Sequence, residues 1–267
     1  MTNNIKHPQK KISLISGKCI IFFYGENFMN ISIIILAAGH GKRMNSTLPK
    51  VLHLVAGKPM LEHVVEKACI LSSKKPVVVY GYQGEMVQNT LKQHAIDWVP
   101  QNEQLGTGHA ALQGVSIVPE HHHVLILYGD VPLISVASLK QFIRDTPENA
   151  LGIITANFPD PTGIGRILRN EKNQITRVVE EKDANEWERQ IKEVNTGFYF
   201  APAYFLKRWL PKLNNQNAQK EYYLTDIIEL AVQEAIPVYS MLLPDHRESL
   251  GINNPAQLAQ AEIQFAE

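Results

Sequence analysis

Two kinds of apolar patterning divide this chain. In the first half, branched apolar residues come in unbroken runs, from Ile31 to Ala37, Pro76 to Gly81 and Val124 to Tyr128. Between the first two of these, from Pro59 to Ser72, and again from Gly84 to Gln93, apolar residues recur every three to four positions. Strand-type runs alternating with helix-type periods are the sequence form of βαβ units, and they predict a mostly parallel sheet. In the helix expected from Pro59, the residues Leu61, Val64, Val65, Ala68 and Cys69 make one stripe, which places Cys69 in the core. The run Val124 to Tyr128 does not alternate, as expected of a strand covered on both faces. From about residue 150 the pattern shifts to shorter β runs: Leu151 to Phe158, Gly165 to Arg169, Gln174 to Glu180 and Val194 to Phe200. Helical periods return at Ala203 to Leu210, Leu224 to Ala235 and Pro255 to Ala266. No internal repeat is present, and nothing matches the hexapeptide repeats of a left-handed β-helix.

The strand ends point to the chemistry. In doubly wound sheets ligands bind beyond the carboxyl ends of the strands. The first run delivers Ala38-Gly39-His40-Gly41 there, and the run at Val124 delivers Gly129-Asp130-Val131-Pro132. Small residues let main-chain N–H groups approach a phosphate closely, although Gly39-x-Gly41 by itself also fits a plain tight turn. Two familiar phosphate motifs fail here. A Walker loop needs Ser or Thr after Gly41-Lys42, where Arg43 stands, and a dinucleotide fingerprint needs glycine where Met44 stands. Lys42, Arg43 and Lys50 read either as a solvated basic loop or, in the company of the glycines, as a polyphosphate clamp, with Arg43 acting by its fork and Lys50 as a point charge. Asp130 reads as a turn aspartate or a ligand, and Asn253 as the N-cap of the helix opened by Pro255 or a ligand; adjacent Asn254 allows both roles to coexist. The run Glu180-Glu181-Lys182 reads as a charged surface. His121-His122-His123 cannot all face one ion and are assigned to a polar surface turn.

Composition narrows the partners. The 267 residues carry 26 basic and 26 acidic side chains, so no long-range attraction for nucleic acid or anionic lipid is expected. Cys19 and Cys69 form no C-x-x-C pair, which excludes a cysteine zinc site and a disulfide framework and fits a reducing cytoplasm. No apolar run nears the ~18 residues that span a membrane. Residues 1–28 differ in composition from the rest, with Lys18 interrupting their apolar run. They are read as a disordered extension or a misread start upstream of Met29, and 29–267 as one domain.

The residues then carry a resemblance. Leu36-Ala37-Ala38-Gly39-His40-Gly41-Lys42-Arg43-Met44 followed by Leu48-Pro49-Lys50-Val51-Leu52 resembles the signature of sugar-nucleotide pyrophosphorylases. Five later motifs recur in order: Gln101-x-x-Gln104-Leu105-Gly106-Thr107-Gly108-His109-Ala110, Leu127-Tyr128-Gly129-Asp130-Val131-Pro132-Leu133, Asp160-Pro161-Thr162-Gly163-x-Gly165-Arg166-Ile167, Asn195-Thr196-Gly197 and Glu221-Tyr222-Tyr223-Leu224-Thr225-Asp226, before a final Gly251-x-Asn253-Asn254. Together they are similar to the uridyltransferase domain of bacterial bifunctional N-acetylglucosamine-1-phosphate uridyltransferases/acetyltransferases, from about Ile31 to the C-terminus.

That resemblance implies a Rossmann-like α/β nucleotidyltransferase with a mostly parallel central sheet, helices on both faces and a smaller β-rich sugar-binding part. It implies that UTP is held by Leu36, Ala37, Ala38 and Gly39, by Gln101, and by Gly106 and Thr107, with Tyr128, Gly129 and Asp130 also lining the substrates. It implies that N-acetylglucosamine 1-phosphate is held by Gly165, Glu180 and Asn195, that Mg2+ is held by Asp130 and Asn253, and that Arg43 and Lys50 are the catalytic cations. The implied product, UDP-N-acetylglucosamine, feeds peptidoglycan and lipopolysaccharide synthesis. The alternatives are another sugar 1-phosphate or nucleotide, or a non-catalytic UDP-sugar-binding paralogue. His40 and Lys42 depart from the commonest family residues. The family's acetyltransferase half, the β-helix that also builds its trimer, has no room after Glu267, so acetyl-CoA chemistry is not expected and the oligomeric state is not carried over.

Overall fold

A computed structural model describes residues 10–15, 18–23, 30–39 and 41–266, with backbone only for 10–15, 18–23, Lys42 and Ala266. His40, one of the two family departures, lies outside the described residues. The chain divides into two compact units, Met1–Asn30 and Ile31–Glu267. In the first, β1 (Lys10–Ile15) and β2 (Lys18–Phe23) pair antiparallel in register from Lys10↔Phe23 to Ile15↔Lys18.

The second unit alternates strands and helices as the apolar pattern predicts. Its elements are β3 (Ile31–Ala37), the short hairpin β4 (Leu54–Val55) and β5 (Lys58–Pro59), α1 (Met60–Leu71), β6 (Val77–Tyr80), α2 (Gly84–Thr90), β7 (Asp97–Pro100), α3 (Thr107–Ser116), β8 (His123–Tyr128) and α4 (Val136–Asp145). Then come β9 (Leu151–Asn157), β10 (Arg166–Arg169), β11 (Ile175–Val179), β12 (Glu193–Pro202), α5 (Ala203–Trp209), α6 (Ile227–Gln233), β13 (Val238–Leu242) and α7 (Pro255–Ala266).

Nine strands form one mixed sheet in the order β11-β10-β12-β8-β3-β6-β7, with β9 pairing both β12 and β13. The strands β8, β3, β6 and β7 run parallel. β12 joins β8 and β9 antiparallel, and β10 and β11 pair antiparallel. β3 is buried at all seven positions, because a parallel strand sandwiched by helices has no wet face. The main core joins Ile34, Leu36, Val79, Val115 and Ile126 on the parallel side to Tyr199, Trp209 and Ile227 on the other. Among the described residues no helix is long and apolar enough to cross a membrane.

Two expectations change. In α1 the buried stripe is Met60, Leu61, Val64, Val65, Ala68 and Leu71, while Cys69 is exposed. Cys69 follows Ala68 by one residue, about 100° around the helix, so the stripe passes it by. The histidine run is a surface turn only at His121, which is exposed. His122 and His123 are 6% and 8% exposed, because β8 begins at His123 and draws these two into the core. Ser32 Oγ lies 2.8 Å from His122 Nδ1, and the His123 ring stacks on Phe200 with Nε2 2.9 Å from Glu148 O. His122 and His123 thus each have their own partner, and no described group of three or more His, Cys, Asp or Glu can hold a metal.

Candidate active site

The carboxyl ends of β3 and β8 lie side by side, with Leu36 in register with Tyr128 and the Gly129 N–H donating to Leu36 O at 2.9 Å. A Cβ on Gly129 would stand 3.2 Å from that of Ala37, so the two small residues let the loops close together. After Ala38 the chain turns through Gly41, which has φ +62°. A side chain there would meet Lys50 Cβ at 2.5 Å. Gly41 thus opens the way for Lys50, which sits in a 3₁₀ turn anchored by buried Val51 and Leu52.

Lys50 is the centre of the charged cluster. Its ammonium donates to Asp130 Oδ2 and, at 2.9 Å, to Asn253 Oδ1. The Lys50 and Asp130 side chains are only 13% and 15% exposed. Arg43 Nη2 donates to the same Asn253 oxygen at 3.0 Å. The Asp130 turn is held from two sides, by the Ile252 N–H on Asp130 O at 2.9 Å and by Lys67 Nζ on Pro132 O. Asn254, not Asn253, caps α7, accepting from the Gln257 N–H at 2.9 Å. The Asn253 amide is therefore released for the cluster. Two oxygens that converge on one ammonium also suit one hard cation.

Beside Ala38, a cavity of about 270 Å³ is lined by Tyr80, Gly81, Tyr82, Gln101, Asn102 and Gln104. Gln101 is buried; its Nε2 lies 3.1 Å from Gly106 O and 3.0 Å from His109 Nδ1. With both amide hydrogens engaged, Oε1 is what it offers a ligand. Gly106 caps α3 at φ +113°, and a Cβ would come within 2.7 Å of Tyr222 O. The 222–224 loop crosses that helix start, where the Leu224 N–H donates to Thr107 Oγ1 at 3.1 Å. Thr107 also bonds the Tyr128 hydroxyl, whose pKa burial pushes up, with Glu180 and Asp130 adding to the rise.

Gly165, Glu180 and Asn195 also meet. The Asn195 N–H donates to Gly165 O at 2.9 Å, and a Cβ on Gly165 would lie 3.3 Å from Glu180 Oε2. Glu180 takes a hydrogen bond from Thr225 Oγ1 at 3.1 Å. Burial raises its pKa, and Asp226, Asp183 and Glu221 push it further. Neighbouring Glu181 does different work: it accepts from the Gly163 N–H at 3.1 Å and from buried Arg166 at 2.6 Å, holding the 160–165 loop. The apparent surface run 180–182 therefore contains one inward and one loop-clamping carboxylate. Sequence reasoning passed over Gly81 as a site residue. A side chain there would stand 2.7 Å from both Ala38 O and Gln104 Nε2, and the signal was available, a glycine at the carboxyl end of a strand.

The fold that gathers these loops at its strand ends is matched in known proteins. Residues 33–230 match the MobA-like NTP transferase domain family. The chain belongs to that family. Its relatives include the Bifunctional protein GlmU of Coxiella burnetii (strain CbuK_Q154), 48% identical over 234 residues, and that of Legionella pneumophila (strain Corby), 49% identical over 239 residues; each alignment covers 88% of this chain and 51% and 52% of those proteins. The same protein from Janthinobacterium sp. is 51% identical over 87% of this chain. The chain thus spans about half the length of the curated relatives it matches. Among solved structures, a UDP-glucose pyrophosphorylase complexed with UDP-glucose superposes with a TM-score of 0.70 at 16% identity, covering 89% of this chain and 99% of the other. A nucleotidyl transferase from Methanothermobacter gives 0.63 at 18% identity, covering 89% and 98%. Both show the fold: a mixed α/β nucleotidyltransferase with a parallel centre.

Proposed function

We propose that this chain transfers uridylyl from UTP to N-acetyl-α-D-glucosamine 1-phosphate, releasing pyrophosphate and UDP-N-acetylglucosamine. The observation that carries the reading is the convergence of Lys50, Arg43, Asp130 and Asn253 beside the Leu36–Gly39 strand end. The resemblance across the whole of 31–254 and the relatives at 47–51% identity support it.

Each part of the site has a physical reason to take its share. The backbone of Leu36, Ala37, Ala38 and Gly39 approaches the nucleotide because no large side chain intervenes. Gln101 Oε1 is an acceptor, which suits the N3–H of uracil and opposes the N3 lone pair of cytosine. Gly106 and Thr107 start α3, whose first N–H groups are unpaired within the helix. Glu180 accepts from sugar hydroxyls, and Gly165 and Asn195 close the pocket around the same ring.

The reaction is an in-line displacement. A phosphate oxygen of the sugar 1-phosphate forms the new bond to the α-phosphorus of UTP as the bond to the β-phosphate oxygen breaks. That nucleophile is already an anion near neutral pH, so positioning and charge neutralisation suffice and no side chain need take a proton. Lys50 and Arg43 lie where charge grows on the α- and leaving phosphates. Asp130 and Asn253 would hold Mg2+, which prefers few protein oxygens alongside water and phosphate and would offset charge on the triphosphate when bound. In doing so they would release Lys50 to the phosphates. We assign the activity to the 29–267 region and to the cytoplasm.

Pyrophosphate release from UTP tests the reading, with Mg2+ and N-acetylglucosamine 1-phosphate in one tube and glucosamine 1-phosphate in another. Release with the acetylated sugar alone is expected. Equal release from both would mean a looser sugar site, and none from either would overturn the assignment.

A further inference from the structure

Strand β12 does not run straight past the sugar side of the site. Its pairing with β9 passes from Asn195↔Thr155 to Tyr199↔Ile153, so four steps on β12 (199 − 195) answer two on β9 (155 − 153). Such a bulge bends its strand and re-aims side chains. At its middle Gly197 has φ +87°, and a Cβ there would come within 2.6 Å of the Tyr128 ring. No other residue fits both the backbone and the ring.

The bulge brings together two side chains that a regular strand keeps apart. Residues four apart in a straight strand are separated by about 13 Å. Here the Tyr199 hydroxyl donates to Asn195 Oδ1 at 3.1 Å, and the Gly197 N–H donates to the same oxygen at 3.0 Å. A carboxamide has one oxygen with two lone pairs and one NH2 with two hydrogens. Both acceptor positions of Oδ1 are thus taken, while Nδ2 has no partner among the described residues and the residue is only partly buried. Tyr199 is fully buried. Burial, first of all, raises its pKa far above that of a free phenol, so it remains a donor at every working pH.

We propose that Tyr199 is a positioning residue for sugar recognition: with the Gly197 N–H it pins the Asn195 oxygen, so that the amide can present only its NH2, as a donor to an acceptor oxygen of the sugar phosphate. Without the hydroxyl, the amide can turn over and meet that acceptor with its own oxygen. The inference rests on the reading of Asn195 as a sugar contact.

The test is a double-mutant cycle in the full chain with Tyr199→Phe, Asn195→Ala and the pair. Tyr199→Phe removes one oxygen and keeps the ring, so the fold survives; unfolding midpoints check this. Its KM for N-acetylglucosamine 1-phosphate should rise about fivefold, the size of one neutral hydrogen bond, while kcat and the KM for UTP stay within about twofold. In the Asn195→Ala background, adding Tyr199→Phe should change the sugar KM by less than about twofold, because the hydroxyl acts through the amide. Equal, additive effects in both backgrounds, or a parallel rise in the KM for UTP, would overturn the proposal. Wild-type chain is run first on acetylated, amino and plain glucose 1-phosphates. Failure with the acetylated sugar alone sinks the assigned function, and the cycle is then run on the sugar that is used, where an unchanged KM sinks the Tyr199 proposal.

Discussion

The two halves of the sheet build their sites differently. On the parallel side, β3, β6 and β8 all end at one edge, and the site there is made of main chain and charge: small residues at 37–39, 81 and 129, then Lys50 against Asp130 and Asn253. On the antiparallel side, the candidate site sits just before β10, just after β11 and within β12, and it is made of side chains, Glu180 and Asn195, aimed by a bulge and by clamped loops. On the proposed function, the difference teaches how one fold separates a constant task from a selective one. A triphosphate needs close backbone and positive charge, which strand ends supply. A sugar needs oriented donors and acceptors, which need a supporting shell.

Breaking the charged cluster should have the largest effect. Asp130→Ala is expected to lower kcat about a thousandfold, as loss of one preorganised electrostatic group does, with the unfolding midpoint little moved. Glu180→Gln should instead raise the KM for sugar phosphate and leave that for UTP alone. Steady-state kinetics with each substrate varied in turn would check both. If the two variants give the same pattern, the division between the halves fails.

Gly41 sharpens the comparison within the parallel side. Gly41→Ala meets both a positive φ and Lys50 at 2.5 Å, whereas Gly57→Ala meets only a φ of +75° and open space. Each should cost about 1–3 kcal/mol of stability from backbone strain, but only Gly41→Ala should also reduce turnover, by displacing Lys50. Denaturant melts and rates on the pair separate the two effects.

The antiparallel side also carries a pH signature. Burial, with Glu229 and Asp183 adding, raises Asp226 from 3.8 to about 6. A carboxyl with a raised folded pKa binds more protons in the native state, so stability falls as pH rises from about 4 to about 6 and stays lower above that. Asp226→Asn should therefore be more stable at pH 7, on the order of 1 kcal/mol after allowance for solvent screening of this partly exposed group. The same substitution removes a negative neighbour of Glu180, whose raised pKa should drop. The acid limb of kcat/KM for the sugar phosphate should then move to lower pH. Paired melts and pH–rate profiles would show it, and an unmoved limb would separate Glu180 from Asp226. The smallest effect is expected at exposed Cys69: Cys69→Ser should stay within about 0.5 kcal/mol of wild type in the same melts.

Much of the fold was legible because one-dimensional pattern and local chemistry coincide there. β3 spans Ile31–Ala37 and α7 spans Pro255–Ala266, as the apolar periods predict, and Asn254 takes the cap that frees Asn253. Elements with weak periods were missed: β7, α3, α4 and β13 carry short or mixed patterns whose burial comes from neighbours far along the chain. The expected Leu224 to Ala235 helix is a 3₁₀ turn and then a shorter α6. Cys69, His122 and His123 were misjudged because one residue of rotation, or the start of a strand, decides whether a side chain is wet or dry.

What the sequence by itself determined is the order of strands and helices, the strand ends where small and charged residues gather, and the residue types able to bind phosphate and sugar. These follow from periodicity and side-chain chemistry, which are properties of neighbours along the chain. Only the tertiary structure decided which of them meet. Lys50, Asp130 and Asn253 are 80 and 203 residues apart from the lysine outward, and Glu180 is distinguished from Glu181 only by which way the chain turns. Sequence spacing carries no such information, because contacts across a sheet depend on strand order and register, and those are selected by the burial of the whole core.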